Sequence, residues 1–242
     1  MKQIEILEKV QNSLKEYCNF HNIYIDNNIF EKLNTYYELL VEWNEKINLT
    51  AITQLEDVYI KHFTDSLASL GHIKQNSTVC DIGTGAGFPG LVIAIFRPDL
   101  KVTLVDSLNK RVNFLNLVCN KLKLTNVVTL HYRAEDIDFK DGFLNSFDYV
   151  VSRAVANLNT LVEYCLPYVK VNGQFIAYKT ETAKDEVQSS LNAIRLLGGN
   201  TNVTYANYNL VDAKRVLVII DKVSKTNNKY PRNQNKPRLK PL

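Results

Sequence analysis

A glycine-dense stretch at residues 79–90 constrains the fold of this chain more than any other feature. It reads Val-Cys-Asp-Ile-Gly-Thr-Gly-Ala-Gly-Phe-Pro-Gly, and an apolar segment, Leu91–Phe96, follows it. An apolar run that ends in an acid and passes through glycines into a second apolar run predicts a buried strand, a tight turn and a helix N-terminus. Glycine permits positive φ and lets a ligand approach the backbone with no Cβ in the way. The stretch therefore predicts a site for a nucleotide-like ligand.

Strands and helices are predicted to alternate from residue 77 onward. Strands are predicted at 78–82, 101–105, 126–130, 147–151, 173–178, 201–206 and 215–220. Helices are predicted at 90–97, 108–123, 157–166 and 183–197. This alternation predicts a parallel sheet with helices on both faces. The link Asn207–Ala213 is too short for a crossover helix, so the last two strands are predicted to pair antiparallel.

The first 70 residues are predicted to form a helical cap. Apolar side chains at Leu33, Tyr36, Leu40, Trp43 and Ile47 recur every three or four residues, which is typical of one face of a helix. The same periodicity extends over residues 56–70. We therefore divide the chain into a cap at 1–70, a sheet domain at 71–221 and a tail at 222–242. The predicted fold class is α/β and Rossmann-like, with a seven-stranded, mostly parallel sheet that ends in an antiparallel hairpin.

The positive charge of the chain is concentrated in the tail. Residues 222–242 contain seven Lys or Arg, three of the six prolines and no acid, which leaves 22 basic against 25 acidic residues in the rest of the chain. Such a composition cannot fold into a packed core alone. Two interpretations remain open, a disordered, solubilising end and an arm that contacts phosphates.

Composition argues against a membrane or metal protein. No apolar run approaches the ~18 residues of a membrane span, and the N-terminus lacks the layout of a signal peptide. The four cysteines are far apart, so no metal site is predicted, and scattered thiols suit a reducing compartment. We expect a cytoplasmic protein without a membrane partner.

Two ligand templates fit the glycine-dense stretch. Gly85–Gly90 matches the G-x-G-x-x-G fingerprint of dinucleotide-binding domains. Asp81–Gly87 matches the acid-x-Gly-x-Gly-x-Gly pattern of S-adenosylmethionine-dependent methyltransferases. Both templates expect an acid at the end of the second strand to bind ribose hydroxyls, and Asp106 supplies it.

Three observations favour the methyl donor. The Asp81 carboxylate can face a cationic ligand or order the turn, whereas it would repel a pyrophosphate. The stretch follows a predicted helical cap, whereas dinucleotide domains often open with their fingerprint. Arg133–Asp136 places polar groups after the third strand, at the sheet edge where ligands of open α/β sheets bind.

Motifs along most of the chain resemble one family, the bacterial 16S ribosomal RNA guanine-N7 methyltransferases of the RsmG (GidB) type. In chain order, the matching segments are Val41–Thr50, Lys61-His62 with Asp65-Ser66, Asp81–Pro89, Val105–Ser107 with Lys110-Arg111, Arg133–Glu135, Ser152–Ala156 and Lys229–Arg232. The family tail usually has a glycine shortly after the Tyr-Pro-Arg element, whereas this chain has Asn233-Gln234-Asn235. The resemblance implies a class I methyltransferase fold. Because the glycine is missing, we expect the turn in the tail to differ in geometry from that of the family.

The resemblance also implies cofactor-binding residues. It assigns Gly83, Phe88, Ala134, Glu135 and Arg153 to the pocket for S-adenosyl-L-methionine. Physical reasoning adds two more, Gly85 for close backbone approach and Asp106 for the ribose. Three of these have a structural alternative: Phe88 as a core side chain, Asp106 as a helix cap and Glu135 as a solvated loop acid.

Arg153 is the candidate catalytic residue, because it follows the fourth strand where related enzymes build the acceptor site. The chain has Ser152-Arg153-Ala154 where exocyclic-amine methylases place Asn/Asp-Pro-Pro-aromatic. Guanine N7 carries no proton, so we expect no general base and assign Arg153 to positioning of substrate or donor, with a structural ion pair as the alternative. Cys165 is interpreted as a core residue rather than a nucleophile. The trio His62, Asp65 and Ser66 is interpreted as surface or cap packing.

The implied activity is methyl transfer from S-adenosyl-L-methionine to N7 of a guanine in 16S ribosomal RNA. The implied partner is that RNA or a small-subunit particle, and we expect a monomer. Lys110-Arg111 is predicted either to contact RNA phosphates or to be solvated. Three alternatives stay open: a methyltransferase with another RNA, protein or small-molecule acceptor, a dinucleotide-dependent oxidoreductase, and a catalytically silent RNA-binding protein.

Overall fold

The sheet of the computed structural model has seven strands in the order β3-β2-β1-β4-β5-β7-β6. The strands are β1 (Thr78–Ile82), β2 (Lys101–Asp106), β3 (Val127–His131), β4 (Phe147–Arg153), β5 (Val169–Thr180), β6 (Thr204–Leu210) and β7 (Ala213–Asp221). Strands β1 to β5 pair in parallel, and β7 pairs antiparallel with both β5 and β6. The structure describes residues 2–136, 142–210 and 213–242. It confirms the predicted sheet and its terminal hairpin.

Helices cover both faces of the sheet, as predicted. The helices are α1 (Lys2–Phe20), α2 (Asn27–Asn44), α3 (Leu55–Val58), α4 (Gly90–Phe96), α5 (Asn109–Lys121), α6 (Leu158–Cys165), α7 (Ala183–Leu196) and α8 (Lys236–Leu239). One hydrophobic cluster joins α1, α2, α4 and α5 to one face, and a second joins α6 and α7 to the other. In the described residues, no helix has the length and apolarity needed to cross a membrane.

Two strand predictions differ from the structure by three or more residues at one end or both. Strand β5 begins at Val169, four residues earlier than predicted, and β6 spans Thr204–Leu210 rather than 201–206. The asparagines in β6 suggested a link, but β6 lies at the sheet edge, where one row of side chains faces solvent and polar residues are tolerated. Most of the predicted link Asn207–Ala213 belongs to the strands: residues 207–210 lie in β6 and Ala213 begins β7. Residues 211–212 lie outside the described residues.

The cap is helical, but its last segment is not a regular α-helix. After α3, residues Tyr59–Thr64 form a π-helix and Leu67–His72 a 3₁₀-helix. The predicted apolar face is confirmed, since Val58, Phe63, Leu67 and Leu70 are all buried. A π-helix adds a residue to a turn and is frequent at functional sites. This π-helix contains Lys61 and His62.

The tail packs against the sheet domain, so the interpretation as a disordered end is wrong. Lys222, Thr226 and Tyr230 are 1%, 3% and 8% exposed. Arg232 pairs with Glu163 of α6, whose side chain is fully buried. The domain provides the core that this polar segment cannot form alone.

Candidate functional site

The glycine-dense stretch forms the predicted strand–turn–helix. Three glycines of the turn have positive φ, namely Gly83 at 72°, Gly85 at 62° and Gly87 at 105°. The N–H of Gly83 donates to the Val105 carbonyl at 2.9 Å, which holds the turn against β2. A Cβ on Gly85 would meet nothing within 4 Å, so the turn leaves open space above its backbone.

Asp81 orders the turn from inside the protein. It is fully buried, and its Oδ2 accepts from the N–H of Gly90, the first residue of α4, at 2.7 Å. A Cβ on Gly90 would lie 2.7 Å from that same oxygen, so only glycine fits there. Burial raises the pKa of Asp81 to about 6, against the opposing effect of the Thr84 hydroxyl and the Gly90 N–H. Of the two roles considered for this acid, the structure supports the ordering of the turn.

A cavity of about 680 Å³ opens at the carboxyl ends of β1, β2 and β4. We call it the glycine-loop cavity; its walls include Gly83, Asp106, Ala134, Glu135, Ala154 and Tyr164. Its volume is in the range of pockets for drug-sized ligands. Four of the predicted cofactor residues, Gly83, Asp106, Ala134 and Glu135, therefore meet at one cavity.

Asp106 connects the glycine turn to the start of α5. Its Oδ2 accepts from the Gly85 N–H and its Oδ1 from the Leu108 N–H, both at 2.9 Å. The bond to Leu108 lies just before α5 and does not cap it, because α5 begins at Asn109 with Leu108 as its N-cap and no side-chain capping bond. A carboxylate offers about four lone-pair sites, so the two remaining sites can serve a ligand in the cavity.

Ala134 and Glu135 form a 3₁₀ turn after β3. Glu135 is only 3% exposed and pairs with Arg133 at 3.0 Å, so the interpretation as a solvated loop acid is wrong. The Tyr168 hydroxyl donates to the Ala134 carbonyl and fixes the turn from below. The backbone of Ala134, fixed by Tyr168, and the buried carboxylate of Glu135 therefore line the cavity.

Phe88 is not in the wall of the glycine-loop cavity but lies between the turn and the cap. It is 5% exposed, and its ring stacks on His62 and Tyr36 with centroids 4.4 and 5.4 Å away. The Arg153 guanidinium lies over the same ring, 5.3 Å from its centroid. These contacts agree with the alternative that Phe88 is a core side chain. Its contact with the cofactor stays a prediction.

Arg153 also faces the cap. Its NH1 pairs with Asp65 and donates to the Lys61 carbonyl at 3.0 Å, and its NH2 lies 3.1 Å from His62 Nδ1. Asp65 in turn accepts from the Tyr208 hydroxyl at 2.8 Å. We call Asp65, His62, Arg153 and Tyr208 the cap–sheet cluster. Of the two interpretations of His62 and Asp65, surface packing is wrong because both side chains are buried, whereas packing of the cap is what their contacts with Arg153 show.

His62 is held in its neutral form. His62 Nδ1 lies 3.1 Å from both the Arg153 guanidinium and the Lys61 carbonyl. Arginine can only donate, so we assign Nδ1 as its acceptor and place the proton on Nε2, which lies 2.9 Å from the Thr50 hydroxyl. Burial, and then the charge of Arg153, lower the pKa of His62 to about 3. His62 is therefore uncharged at neutral pH and does not act as a general acid.

A second cavity, of about 360 Å³, opens over the cap–sheet cluster. It is lined by Lys61, His62, Asp65, Arg153 and Tyr208 among others. Ala154 lines both this cavity and the glycine-loop cavity, so the two adjoin. Ala154 has a φ of 57°, an unusual conformation for alanine that functional sites often retain.

Gly85, Cys165 and Lys110 lie outside the walls of both cavities. Cys165 is fully buried in α6 and burial raises the pKa of its thiol, which confirms the core interpretation. Lys110 is the second residue of α5. Its neighbour Arg111 lies 3.5 Å from Asp106 and lines the glycine-loop cavity. Among the described residues, no three His, Cys, Asp or Glu side chains are grouped to hold a metal.

The comparison with known families decides which kind of protein this site belongs to. Residues 29–216 match the model of GidB, described as rRNA small subunit methyltransferase G. The chain belongs to the GidB family. This membership confirms the resemblance stated from the motifs, and with it the prediction of an S-adenosylmethionine-dependent methyltransferase.

Relatives match this chain over nearly its whole length. The ribosomal RNA small subunit methyltransferase G of Alkaliphilus metalliredigens is 47% identical over 233 residues, covering 95% of this chain and 97% of that protein. The protein of the same name from Clostridium perfringens strain SM101 is 48% identical over 232 residues, with the same coverages.

Solved structures confirm the fold. A predicted O-methyltransferase from Agrobacterium tumefaciens, protein Atu636, superposes with a TM-score of 0.54 at 17% identity. The match covers 67% of the GidB chain and 81% of that chain. At this identity the similarity extends to the fold alone, which is the predicted Rossmann-like fold.

The residues of the glycine-loop cavity fit the methyl donor of such an enzyme. Gly83 is in the cavity wall, and the space above the backbone of Gly85, two residues further along the turn, is also open. Asp106, at the end of β2, keeps lone pairs for ribose hydroxyls, and Glu135 with Ala134 offers a carboxylate and backbone groups to an adenine. The site thus has the donors and acceptors that an adenosyl ligand requires.

Proposed function

We propose that this chain transfers the methyl group of S-adenosyl-L-methionine to N7 of a guanine in small-subunit ribosomal RNA. The observation that supports it is the junction of two cavities at Ala154. One cavity has the acids and open backbone of an adenosyl site, and the other has a positioned arginine. A methyl transferase needs two sites that meet, one for the donor and one for the acceptor.

In this proposal the glycine-loop cavity holds the donor. Asp106 binds the ribose hydroxyls, and Ala134 with Glu135 binds the adenine. Gly83 and Gly85 allow the backbone to approach the ligand closely. When bound, S-adenosylmethionine supplies an electrophilic methyl group on a sulfonium.

The second cavity receives the guanine, and Arg153 positions it. Among the described residues, hydrogen bonds occupy three of the five N–H groups of Arg153. Arginine commonly reads guanine through O6 and N7 together, but that contact would occupy the lone pair that must accept the methyl group. We therefore assign Arg153 to O6 or to a phosphate, which leaves N7 free.

The cap–sheet cluster provides no general base, and the reaction needs none. Both oxygens of Asp65 are engaged, one by Arg153 and one by Tyr208. Neutral guanine N7 carries no proton, so alignment of the two reactants is the main task of the site. Holding reactants in line contributes on the order of 7–11 kcal/mol of barrier reduction.

The proposal also extends to the surroundings of the protein. The RNA is free or part of an assembling small-subunit particle, and the enzyme works as a monomer in the cytoplasm without a membrane partner. The four cysteines are buried and unpaired, in keeping with a reducing compartment.

The test is transfer of isotopically labelled methyl from S-adenosylmethionine to three acceptors: isolated small subunits, protein-free 16S RNA and a panel of small molecules. The proposal predicts label in the RNA of one or both ribosomal samples. Label in ribosomal protein or in the small molecules alone would contradict it. Binding of NADH in preference to S-adenosylmethionine would support the dinucleotide alternative instead.

A further inference from the structure

The tail is attached to α6 by a buried ion pair. Arg232 donates through Nε to Glu163 Oε1 at 2.8 Å and through NH2 to Oε2 at 2.6 Å. The backbone N–H of Arg232 also donates to Oε1 at 2.8 Å. The same guanidinium donates to the Lys240 carbonyl at 2.8 Å, which closes residues 232–240 into a loop. One arginine thus fixes both ends of this loop against α6.

The middle of the loop contacts α6 as well. The Thr160 hydroxyl donates to the Pro237 carbonyl at 3.2 Å, and the Tyr164 hydroxyl donates to Asn235 Oδ1 at 3.4 Å. Pro237 is buried. Thr160 and Tyr164 are also wall residues of the glycine-loop cavity. The loop is therefore held on the part of α6 that faces this cavity.

Three residues of the loop region complete the wall of the glycine-loop cavity, namely Asn235, Arg238 and Pro241. The sequence predicted this basic segment to be either a disordered end or an arm for RNA phosphates. Its position gives it a different neighbour, the part of α6 that lines the glycine-loop cavity.

Arg238 lines the same cavity as Tyr164, Ala134 and Glu135. Burial raises the pKa of Tyr164, and Glu135 raises it further, whereas Arg133 and Arg238 lower it. Tyr164 therefore has both Glu135 and Arg238 within electrostatic range. Ala134 and Glu135 are the residues to which the proposed function assigns the adenine.

We propose that residues 235–241 form part of the binding site for the methyl donor, with Arg238 in contact with its adenosyl half. This inference rests on the proposed function, because it takes the glycine-loop cavity as the donor site. A guanidinium is planar and weakly hydrated, and it stacks on aromatic faces such as adenine. Arg238 is an exposed residue of the cavity wall, so a ligand in the cavity would cover it.

The test compares Arg238→Ala with Lys236→Ala, which removes the same charge from an exposed tail position outside the cavity wall. Affinity is measured by calorimetry for two probes, S-adenosylhomocysteine and 5′-methylthioadenosine, the second of which lacks the amino-acid part. We expect Arg238→Ala to weaken both probes about tenfold, equivalent to ~1.4 kcal/mol. Lys236→Ala should change neither by more than about twofold.

Each other outcome overturns the inference. Weakening of S-adenosylhomocysteine alone would assign Arg238 to the amino-acid half. Unchanged affinity in Arg238→Ala and in a chain ending at Gln234, with small-subunit binding reduced in both, would make the tail an RNA arm. Failure of the unmodified chain to bind either probe would refute the proposed function itself, which distinguishes the two failures.

Discussion

The guanidinium of Arg153 pairs with the carboxylate of Asp65, which joins the end of β4 to the helical cap. The two side chains are 14% and 5% exposed, so the pair is largely shielded from solvent. His62 and the Lys61 carbonyl fix the same guanidinium from the cap side. The cap therefore takes part in the second cavity, because it determines where the arginine points.

Arg153→Ala should separate acceptor positioning from donor binding. Arg153 lines the second cavity and not the glycine-loop cavity. We expect kcat/KM for methylation of small subunits to fall about 100-fold, the usual scale of a misplaced reactant. The affinity for S-adenosylhomocysteine should stay within about twofold, measured by calorimetry.

The control for this prediction is Arg195→Ala, which removes an exposed arginine of α7 and should leave both quantities unchanged. A parallel loss of donor affinity in Arg153→Ala would show that Arg153 contacts the donor, as the family resemblance implies. In that case our assignment of Arg153 to the acceptor would be wrong.

Gly83→Ala should disturb the turn through one identifiable clash. The new Cβ would lie 2.4 Å from Val155 Cγ2, and φ at this position is 72°. We expect a lower midpoint of thermal unfolding and weaker binding of S-adenosylhomocysteine. Adding Val155→Ala removes the clashing atom and should restore part of both losses, while the positive φ still costs roughly 1 kcal/mol. No recovery in the double variant would mean that the clash is not the cause.

Gln234→Gly should stabilise the turn of the tail. Gln234 and Asn235 have φ of 59° and 58°, which favours glycine, at the place where the family usually has one. Relief at Gln234 should raise the free energy of unfolding by about 1 kcal/mol, measured by urea denaturation. Asn233→Gly is the control, since Asn233 lacks positive φ and should gain nothing. Equal shifts in the two variants would argue against strain at Gln234.

Lys222 should make stability depend on pH in the mildly alkaline range. It is 1% exposed, donates to the Leu166 carbonyl at 2.6 Å, and burial lowers its pKa to about 7. Between pH 7 and its ordinary pKa near 10.5 the unfolded chain holds a proton that the folded chain lacks. The free energy of unfolding therefore rises with pH, by at most ~1.4 kcal/mol per unit.

Lys222→Met should remove this slope, and the comparison is best made between about pH 7 and 8.5, below the ordinary pKa of cysteine thiols. Lys225→Met is the matched control, because Lys225 is exposed in the same segment. If urea denaturation gives the same slope for the unmodified chain and Lys222→Met, Lys222 does not titrate as described.

The sequence predicts those parts of the fold that depend on local patterns. The strand before Gly83, the turn and α4 follow from apolar runs and glycines, and all were correct. Asp106 and Glu135 could be proposed because each follows a predicted strand, and parallel strands end at one edge. Edge strand β6 was misplaced because its polar residues resemble a loop.

Contacts between distant segments could not be predicted in this way. Arg153 and Asp65 are 88 residues apart, and Arg232 and Glu163 are 69 apart. No periodicity relates such pairs, because packing of the cap and tail onto the sheet creates them. The only sequence signal for Asp65 was its place in a family motif, and the composition of the tail suggested disorder rather than a wall of the cavity.

The central claim is methylation of N7 on one guanine of small-subunit ribosomal RNA, and mapping the product tests it most directly. Small subunits from cells that lack this protein are treated with the purified chain and S-adenosylmethionine, and the RNA fragments are analysed by mass spectrometry. The account predicts one added methyl group, located on N7 of a single guanine. A methyl group on another atom or base, or unchanged RNA from a chain that binds the donor, would contradict it.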